Sequence, residues 1–222
     1  MNQPVPEEGH VILVDKPLQW TSFDVVKKLR YKLKVKKIGH AGTLDPLATG
    51  LLILCTGKKT KTINTIQDQP KEYTGTMVLG KTTPSYDLET PIAEGGDIST
   101  ITTEQLMNLI PQFVGDVKQI PPIYSAIKID GERAYKKARK GEKVEIKSRI
   151  ITIYSFELTE INLPKVKFKI NCSKGTYIRT LANDFGIAAG VGAYLSELRR
   201  TKIGEYSVND ALSIDEVSNE GL

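Results

Sequence analysis

With 222 residues, of which 40 % are hydrophobic and 26 % charged, the chain carries enough apolar material for a sizeable core, and disorder is excluded as its default state. No apolar run approaches the ~20 residues of a membrane span, and the polar, proline-bearing start from Met1 to Gly9 lacks the basic-then-apolar order of a secretion signal; a cytoplasmic protein is expected. Two cysteines, Cys55 and Cys172, and only two histidines allow no zinc-ligand spacing, so the thiols read as structural.

The net charge of +5 is modest, but it is segregated. Between Val25 and Ile38 lie seven basic residues and no acid, and from Lys128 to Arg149 nine basic residues face four acids. Between Thr82 and Val117 there are six acids and no base. This distribution suggests one cationic face, the electrostatic footprint of a phosphate-backbone partner, against the plainer reading of a solvated surface.

In chain order, His10 to Asp15 is apolar enough for a core strand, which Lys16-Pro17 ends. Thr21-Ser22-Phe23-Asp24 offers a hydroxyl and, three residues on, a carboxylate that satisfy free N–H groups at a helix start. Val25, Val26, Leu29 and Leu33 then recur at helical spacing and leave the first basic cluster on the outer face. This helix delivers the chain to Gly39-His40-Ala41-Gly42-Thr43-Leu44-Asp45-Pro46-Leu47-Ala48-Thr49-Gly50, a turn-rich loop followed by the apolar run Leu51 to Cys55, which suits a buried strand. Gly57-Lys58 is no phosphate-binding loop, because Leu52 and Lys59 stand where glycine and a hydroxyl are required.

Lys71 to Gly80 alternates as a strand with Tyr73 near its start, and the acidic segment with Pro84, Pro91, Gly95 and Gly96 reads as loop. Thr102/Thr103 caps a short helix carrying Leu106, Leu109 and Ile110. After Gln119-Ile120-Pro121-Pro122, Tyr124 to Ile129 is expected as a strand, Gly131 to Lys140 as a basic helix and Val144 to Leu158 as strands. Apolar residues from Pro121 to Arg149 are too sparse for a separate core, so the stretch is expected to project as a clamp. Lys165 to Cys172 alternates Val166, Phe168, Ile170 and Cys172 against polar residues, the period of a half-buried strand.

Gly175-Thr176 begins a helix with Ile178, Leu181, Ala182 and Phe185, placing Tyr177 and Arg179 in its first turns. A cation there opposes the helix dipole, which suggests a specific anionic partner for Arg179. Tyr194 to Val208 is expected to continue as a strand with Arg199, Arg200 and Lys202.

Asp45 admits two readings: the cap of a helix starting at Pro46, or a carboxylate nucleophile or base. His40 has no serine or cysteine in a recognisable elbow to activate, so a structural role or a phosphate contact suits it better than a triad. A presented carboxylate, a tyrosine, a helix-borne arginine and a basic face together point to chemistry on a nucleic acid without metal.

These motifs resemble the TruB-type tRNA pseudouridine synthases, which isomerise the uridine at position 55 in the T-loop of tRNA. The resemblance is carried by Asp15-Lys16-Pro17, the whole Gly39–Gly50 loop, Lys71-Glu72-Tyr73, Pro121-Pro122 with Tyr124-Ser125-Ala126-Ile127-Lys128 and Arg133-Ala134-Tyr135, Cys172 to Thr180, and Leu198-Arg199-Arg200-Thr201. These run in the family's order over nearly the whole chain. The implied fold is α/β in the α+β sense: a mixed, largely antiparallel central sheet with flanking helices and an RNA-binding thumb at about residues 120–150. Residues 1–222 would form one catalytic domain, without the C-terminal RNA-binding domain common in bacterial members.

By the same resemblance Asp45 is the catalytic aspartate, acting on the ribosyl C1′ while the N-glycosidic bond breaks, and Arg179 is the arginine that pairs with it. Tyr73 would stack on the uracil and move a proton, Tyr177 and Leu198 would line the base pocket, and Lys16 and Pro17 would support the site. His40 would occupy the space opened when the uridine is turned out of its stack. Lys128, Arg133, Lys136, Arg139 and Arg149 are expected on the RNA backbone. Where many relatives have a glycine this chain reads Leu88-Glu89-Thr90, and Asp87 is placed behind the site. The expected partner is the T-arm of tRNA, with no cofactor, metal, membrane or protein partner, and the chain is expected to be a monomer. The reading from a different class is a non-catalytic RNA-binding or RNA-folding protein that uses the same cationic cleft.

Overall fold

The computed structural model describes residues 8–125, 128, 129, 131–134, 137 and 146–219. The chain divides into two compact units, one of Met1–Thr74 with Leu198–Leu222 and one of Gly75–Glu197.

The first unit is built on a strand that is almost wholly buried. β1 (Val11–Lys16) leads through α1 (Ser22–Lys32) and β2 (Ile38–His40) to β3 (Ala48–Thr56), in which only Thr49 is partly exposed. Antiparallel β1 lies along one edge of β3, from Val11 opposite Cys55 to Lys16 opposite Gly50. The other edge is shared. β2 pairs antiparallel with Leu54 to Thr56, and Leu198, Arg199 and Arg200 run parallel to Ala48, Thr49 and Gly50. On one face Leu51, Ile53 and Cys55 join Ala41, Ile66 and Ile203 in a fully apolar cluster, as the two-residue period of a strand requires. α1 forms because Thr21 and Asp24 make the expected reciprocal capping box, and Val25, Val26, Leu29 and Leu33 are all buried. α2 (Ile63–Asp68) follows a 3₁₀ turn.

β4 (Lys71–Leu79) and β12 (Ala193–Ile203) contribute residues to both units and neighbour each other in the sheet. In the first unit this shows as Thr201 donating to Glu72 at 2.8 Å, in the second as Ser196 donating to the Thr76 carbonyl at 3.0 Å.

In the second unit β5 (Lys81–Thr82) and β6 (Ala93–Glu94) form a short ribbon inside the acidic segment, and α3 (Thr103–Leu109) carries its capping box between Thr102 and Gln105. β7 (Gly115–Gln119), β10 (Arg149–Asn162), β11 (Lys165–Cys172) and β4 stand side by side. β11 buries Val166, Phe168, Ile170 and Cys172 as its alternation predicts. α4 (Ile178–Ala188) brings Phe185 to Phe113 and Phe156, at centroid distances of 5.5 and 5.7 Å, and Phe156 meets Phe168 edge-on at 5.9 Å. Such pairs each add about 0.5–1.5 kcal/mol beyond their buried area.

Four expected elements change. Tyr124 and Ser125 are a bend, and the strand there shrinks to β8 (Lys128–Ile129), paired with β9 (Glu132–Arg133) around a left-handed Gly131. Of the expected basic helix, Gly131 is spent on that hairpin turn and Glu132 and Arg133 on β9, Ala134 and Lys137 are helical, and residues 135, 136 and 138–140 lie outside the described residues. Of the strands expected from Val144 to Leu158, Val144 and Glu145 lie outside the described residues, and β10 starts at Arg149, where pairing with Gln119 begins, and runs on to Asn162. β12 ends at Ile203, since Gly204 takes φ +53 and turns the chain into β13 (Tyr206–Ser207). Among the described residues no helix is long and apolar enough to cross a membrane.

Candidate active site

The loop carrying Asp45 is fastened at almost every residue. Ala41 donates to the Ile53 carbonyl at 2.9 Å, continuing the β2–β3 pairing, and Gly42 then takes φ +96, a conformation that favours glycine. The Ser22 hydroxyl accepts from the Leu44 N–H at 2.9 Å and donates to the Leu44 carbonyl at 3.2 Å. On the far side of Asp45, Gln19, itself at φ +66, donates its N–H to the Pro46 carbonyl at 2.8 Å. Ala48 N–H closes a turn onto the Asp45 carbonyl at 3.0 Å.

Asp45 therefore does not cap a helix. It is the first residue of a tight turn with Pro46 second, an arrangement that suits aspartate and the fixed φ of proline equally well. β3 begins directly afterwards, so Asp45, partly buried, stands just ahead of the most buried strand in the unit.

Arg200 holds this loop from below. Its guanidinium is 1 % exposed and gives Nε to the Leu51 carbonyl at 2.8 Å, Nη2 to Gly42 at 3.1 Å and Nη1 to Thr43 at 3.3 Å. The strand pairing that delivers it needs Gly50 at φ +99, where a Cβ would fall 2.3 Å from the Arg200 carbonyl oxygen.

Lys16, fully buried, donates to the carbonyls of Pro17 at 2.9 Å and Trp20 at 2.7 Å. Burial pulls its ammonium down to about 8, the Asp45 charge raises it, and Arg200 lowers it again. At neutral pH Lys16 thus remains a cation close enough to feel Asp45. Burial, and then the Arg200 charge, hold the His40 imidazole below its ordinary value, against a hydrogen bond with the Gly42 backbone. The half-buried ring is accordingly neutral at pH 7. Tyr73 is buried in β4, Leu198 is half-buried opposite Ala48, and Pro17 is exposed. Arg199 forms a two-pronged pair with Asp15 at 3.0 and 2.7 Å.

In the second unit Arg179 lies in the first turn of α4, 3 % exposed. Its anionic neighbour there is Asp87, at 3.4 Å, and it also donates to the carbonyls of Tyr124 at 3.1 Å and Ser85 at 3.3 Å. Asp87 is itself set by the Glu89 N–H on its carboxylate and by Thr83 and Ser85 hydroxyls on its carbonyl. Tyr86 between them takes φ +66, a costly conformation for a tyrosine, which aims its two neighbours at the arginine. Tyr177 is the residue before α4. Its backbone is held by Gln119, and its ring lies 4.8 Å from the Arg149 guanidinium carbon. Of the other expected RNA-backbone residues, Lys128 and Arg133 lie in β8 and β9, while Lys136 and Arg139 fall outside the described residues.

Residues 30–178 match the TruB family pseudouridylate synthase N-terminal domain, and residues 179–221 match the tRNA pseudouridylate synthase B C-terminal domain. The chain belongs to the TruB family of pseudouridylate synthases. It is 56 % identical over 214 residues to a tRNA pseudouridine synthase B of Flavobacterium johnsoniae, a match covering 93 % of each chain. It is 47 % identical over 212 residues to that of Clostridium tetani, covering 96 % of this chain and 73 % of the other. A solved structure described as a Cbf5-Nop10-Gar1 complex superposes with a TM-score of 0.72 at 30 % identity, and an H/ACA RNP bound to a substrate RNA containing 2'-deoxyuridine with 0.70 at 28 %. This chain is covered to 95 % in both and spans 53 % and 52 % of those chains.

Within this TruB-family chain, sequence reasoning passed over Ser22, Gln119 and the separate role of Arg200. Ser22 was absorbed into a capping motif whose hydroxyl comes from Thr21, which leaves Ser22 free for the loop. Arg200 read as one of several strand cations. Its position two residues beyond Leu198, in the matching motif, was the available signal.

Proposed function

We propose that this chain isomerises a uridine of tRNA to pseudouridine, that the uridine is the one at position 55 of the T-loop, and that Asp45 is the catalytic carboxylate. The observation that supports this most is the fastening of Asp45: Ser22, Gln19, Ala48 and Arg200 fix the backbone on both sides, and the Lys16 cation stands near. Such preorganisation is what electrostatic and nucleophilic catalysis demand, because the protein then has little reorganisation left to do when charge develops.

In the reaction the bond from C1′ to N1 breaks and one from C1′ to C5 forms. C5 gives up its proton and N1 gains one, so atoms and electrons balance within the nucleotide. Asp45 acts on C1′ as the glycosidic bond opens. Tyr73 stacks on the detached uracil and takes part in the proton transfer, and Arg179 supplies a buried positive charge. Tyr177 and Leu198 line the pocket, Lys16 and Pro17 support it, and neutral His40 fills the gap in the T-loop stack. Extracting the base costs a few kcal/mol, which a planar side chain partly offsets. Basic residues of the insertion, Lys128, Arg133, Lys136 and Arg139 among them, hold the phosphates, and the chain works as a cytoplasmic monomer.

The test is to map pseudouridine in unmodified tRNA treated with the purified protein. Modification confined to position 55, abolished by Asp45→Asn while tRNA affinity persists, supports the proposal. Product from the Asp45→Asn variant at the parent's rate would remove Asp45 from its role.

A further inference from the structure

Gln119 is the last residue of β7 and Arg149 the first of β10, and the two are register partners across the ladder. They flank the insertion, where the chain departs and where it returns. Both turn to the same place, the segment just ahead of α4. The Gln119 amide, 2 % exposed, accepts from the Tyr177 N–H at 2.8 Å and donates to the Tyr177 carbonyl at 3.0 Å. A side-chain amide thereby does for one residue what a neighbouring strand does for a ladder, satisfying both backbone groups at once. Tyr177 is extended, at φ −96 and ψ 106, and as the cap of α4 it makes no side-chain capping hydrogen bond. Its backbone is set by Gln119. Its ring is set by Arg149, whose guanidinium carbon lies 4.8 Å from the ring centroid and whose Nη2 donates to the Gly175 carbonyl. Gly175 is at φ +81, a left-handed turn that favours glycine.

We propose that Gln119 and Arg149 are positioning residues that fix the Tyr177 ring in the base pocket, so that the base of the insertion and the pocket wall are one hydrogen-bonded unit. This rests on the reading of Tyr177 as a pocket residue. It gives Arg149 a task other than phosphate contact, since a cation spent on a ring face and a carbonyl is oriented for the tyrosine. It also explains why a glutamine sits buried at this point. An amide sealed from water is tolerated only where both its ends are paired, and Tyr177 pairs both.

The experiment compares Gln119→Leu, Gln119→Glu and Arg149→Lys with the parent in single-turnover pseudouridine formation and tRNA binding. Gln119→Leu keeps the volume and loses both bonds. Its rate at saturating tRNA falls about 10- to 100-fold, the scale of a small misplacement, while Kd stays within about threefold. Arg149→Lys keeps the charge and loses the planar stack, so it too loses rate rather than affinity. Gln119→Glu provides a signature that loss of packing does not: its ionised carboxylate accepts from the N–H but repels the carbonyl, whereas its protonated form makes both bonds. Its rate relative to the parent therefore climbs as pH is lowered from 8 to 5.5. If Gln119→Leu does not fold, the Gln119→Glu profile decides. Rates within twofold of the parent, losses matched by equal losses of affinity, or a Gln119→Glu profile parallel to the parent's would each overturn the proposal. A parent protein that makes no pseudouridine at all would instead overturn the functional reading beneath it.

Discussion

The Ser22 hydroxyl closes a ring with Leu44, accepting from its N–H at 2.9 Å and donating to its carbonyl at 3.2 Å, so the first residue of α1 fixes the residue before Asp45. Both partners are buried, and water cannot easily replace the lost group. Ser22→Ala should cost about 1–3 kcal/mol of stability, the penalty for stranding buried backbone groups. It should also slow pseudouridine formation at saturating tRNA without weakening tRNA binding. Urea denaturation and single-turnover rates check both, and an alanine variant as stable and as fast as the parent contradicts the assignment.

Arg200 acts on the same loop from β12 through three carbonyls, those of Leu51, Gly42 and Thr43. Arg200→Met removes the fork and leaves those acceptors in a buried pocket, so a loss of several kcal/mol is expected, as for other broken buried networks. Arg200→Lys restores charge but not the planar spread of donors, and it should recover only part of the stability and rate. Full recovery by lysine would show that charge alone matters here.

How far the sequence could be read depended on the range of the interaction. α1, β3 and β11 were legible because a capping box, an apolar run and a strict alternation are local patterns, and the structure carries all three. Asp45 was visible as chemistry, but its turn was not separable from a helix cap, since Asp-Pro begins either one. The hydrogen bond from Ala48 that decides the matter depends on where β3 starts. The roles of Gln119 and Ser22 and the partner of Asp87 are not legible for a different reason: the partners are 58, 22 and 92 residues away, at Tyr177, Leu44 and Arg179, and no periodicity reports such distances. Within its own unit Arg179 faces Asp87 at 3.4 Å, a pairing that no local pattern reports.

Lys16 gives the pH dependence a sign. Burial lowers the folded-state ammonium from 10.5 to about 8. Between those values the unfolded chain binds the proton and the folded chain does not, so this group makes stability rise with pH from about 8 to 10.5, and below 8 its destabilising effect is constant. Lys16→Met should abolish that rise. Parent and variant unfolding curves at pH 7.5, 9 and 10 should diverge in the parent's favour as pH increases. Catalysis should move the other way: if the cation assists Asp45, the parent's rate falls above about pH 8, and a Lys16→Arg variant that folds keeps its rate there.

Asp87 and Arg179 form a pair with side chains only 7 % and 4 % exposed, 3.4 Å apart. At that depth the pair itself contributes little net stability, but removing one partner of a buried pair typically costs about 3–5 kcal/mol. Asp87→Asn keeps the shape and the acceptor for the Glu89 N–H while removing the charge opposite the guanidinium. The variant should unfold at markedly lower urea and lose pseudouridine formation. A second change, Arg179→Met, should cost less in the Asp87→Asn background than in the parent, because the stranded charge is then already gone. A double-mutant cycle on urea midpoints measures this coupling, and strictly additive losses would mean that the two charges do not support each other.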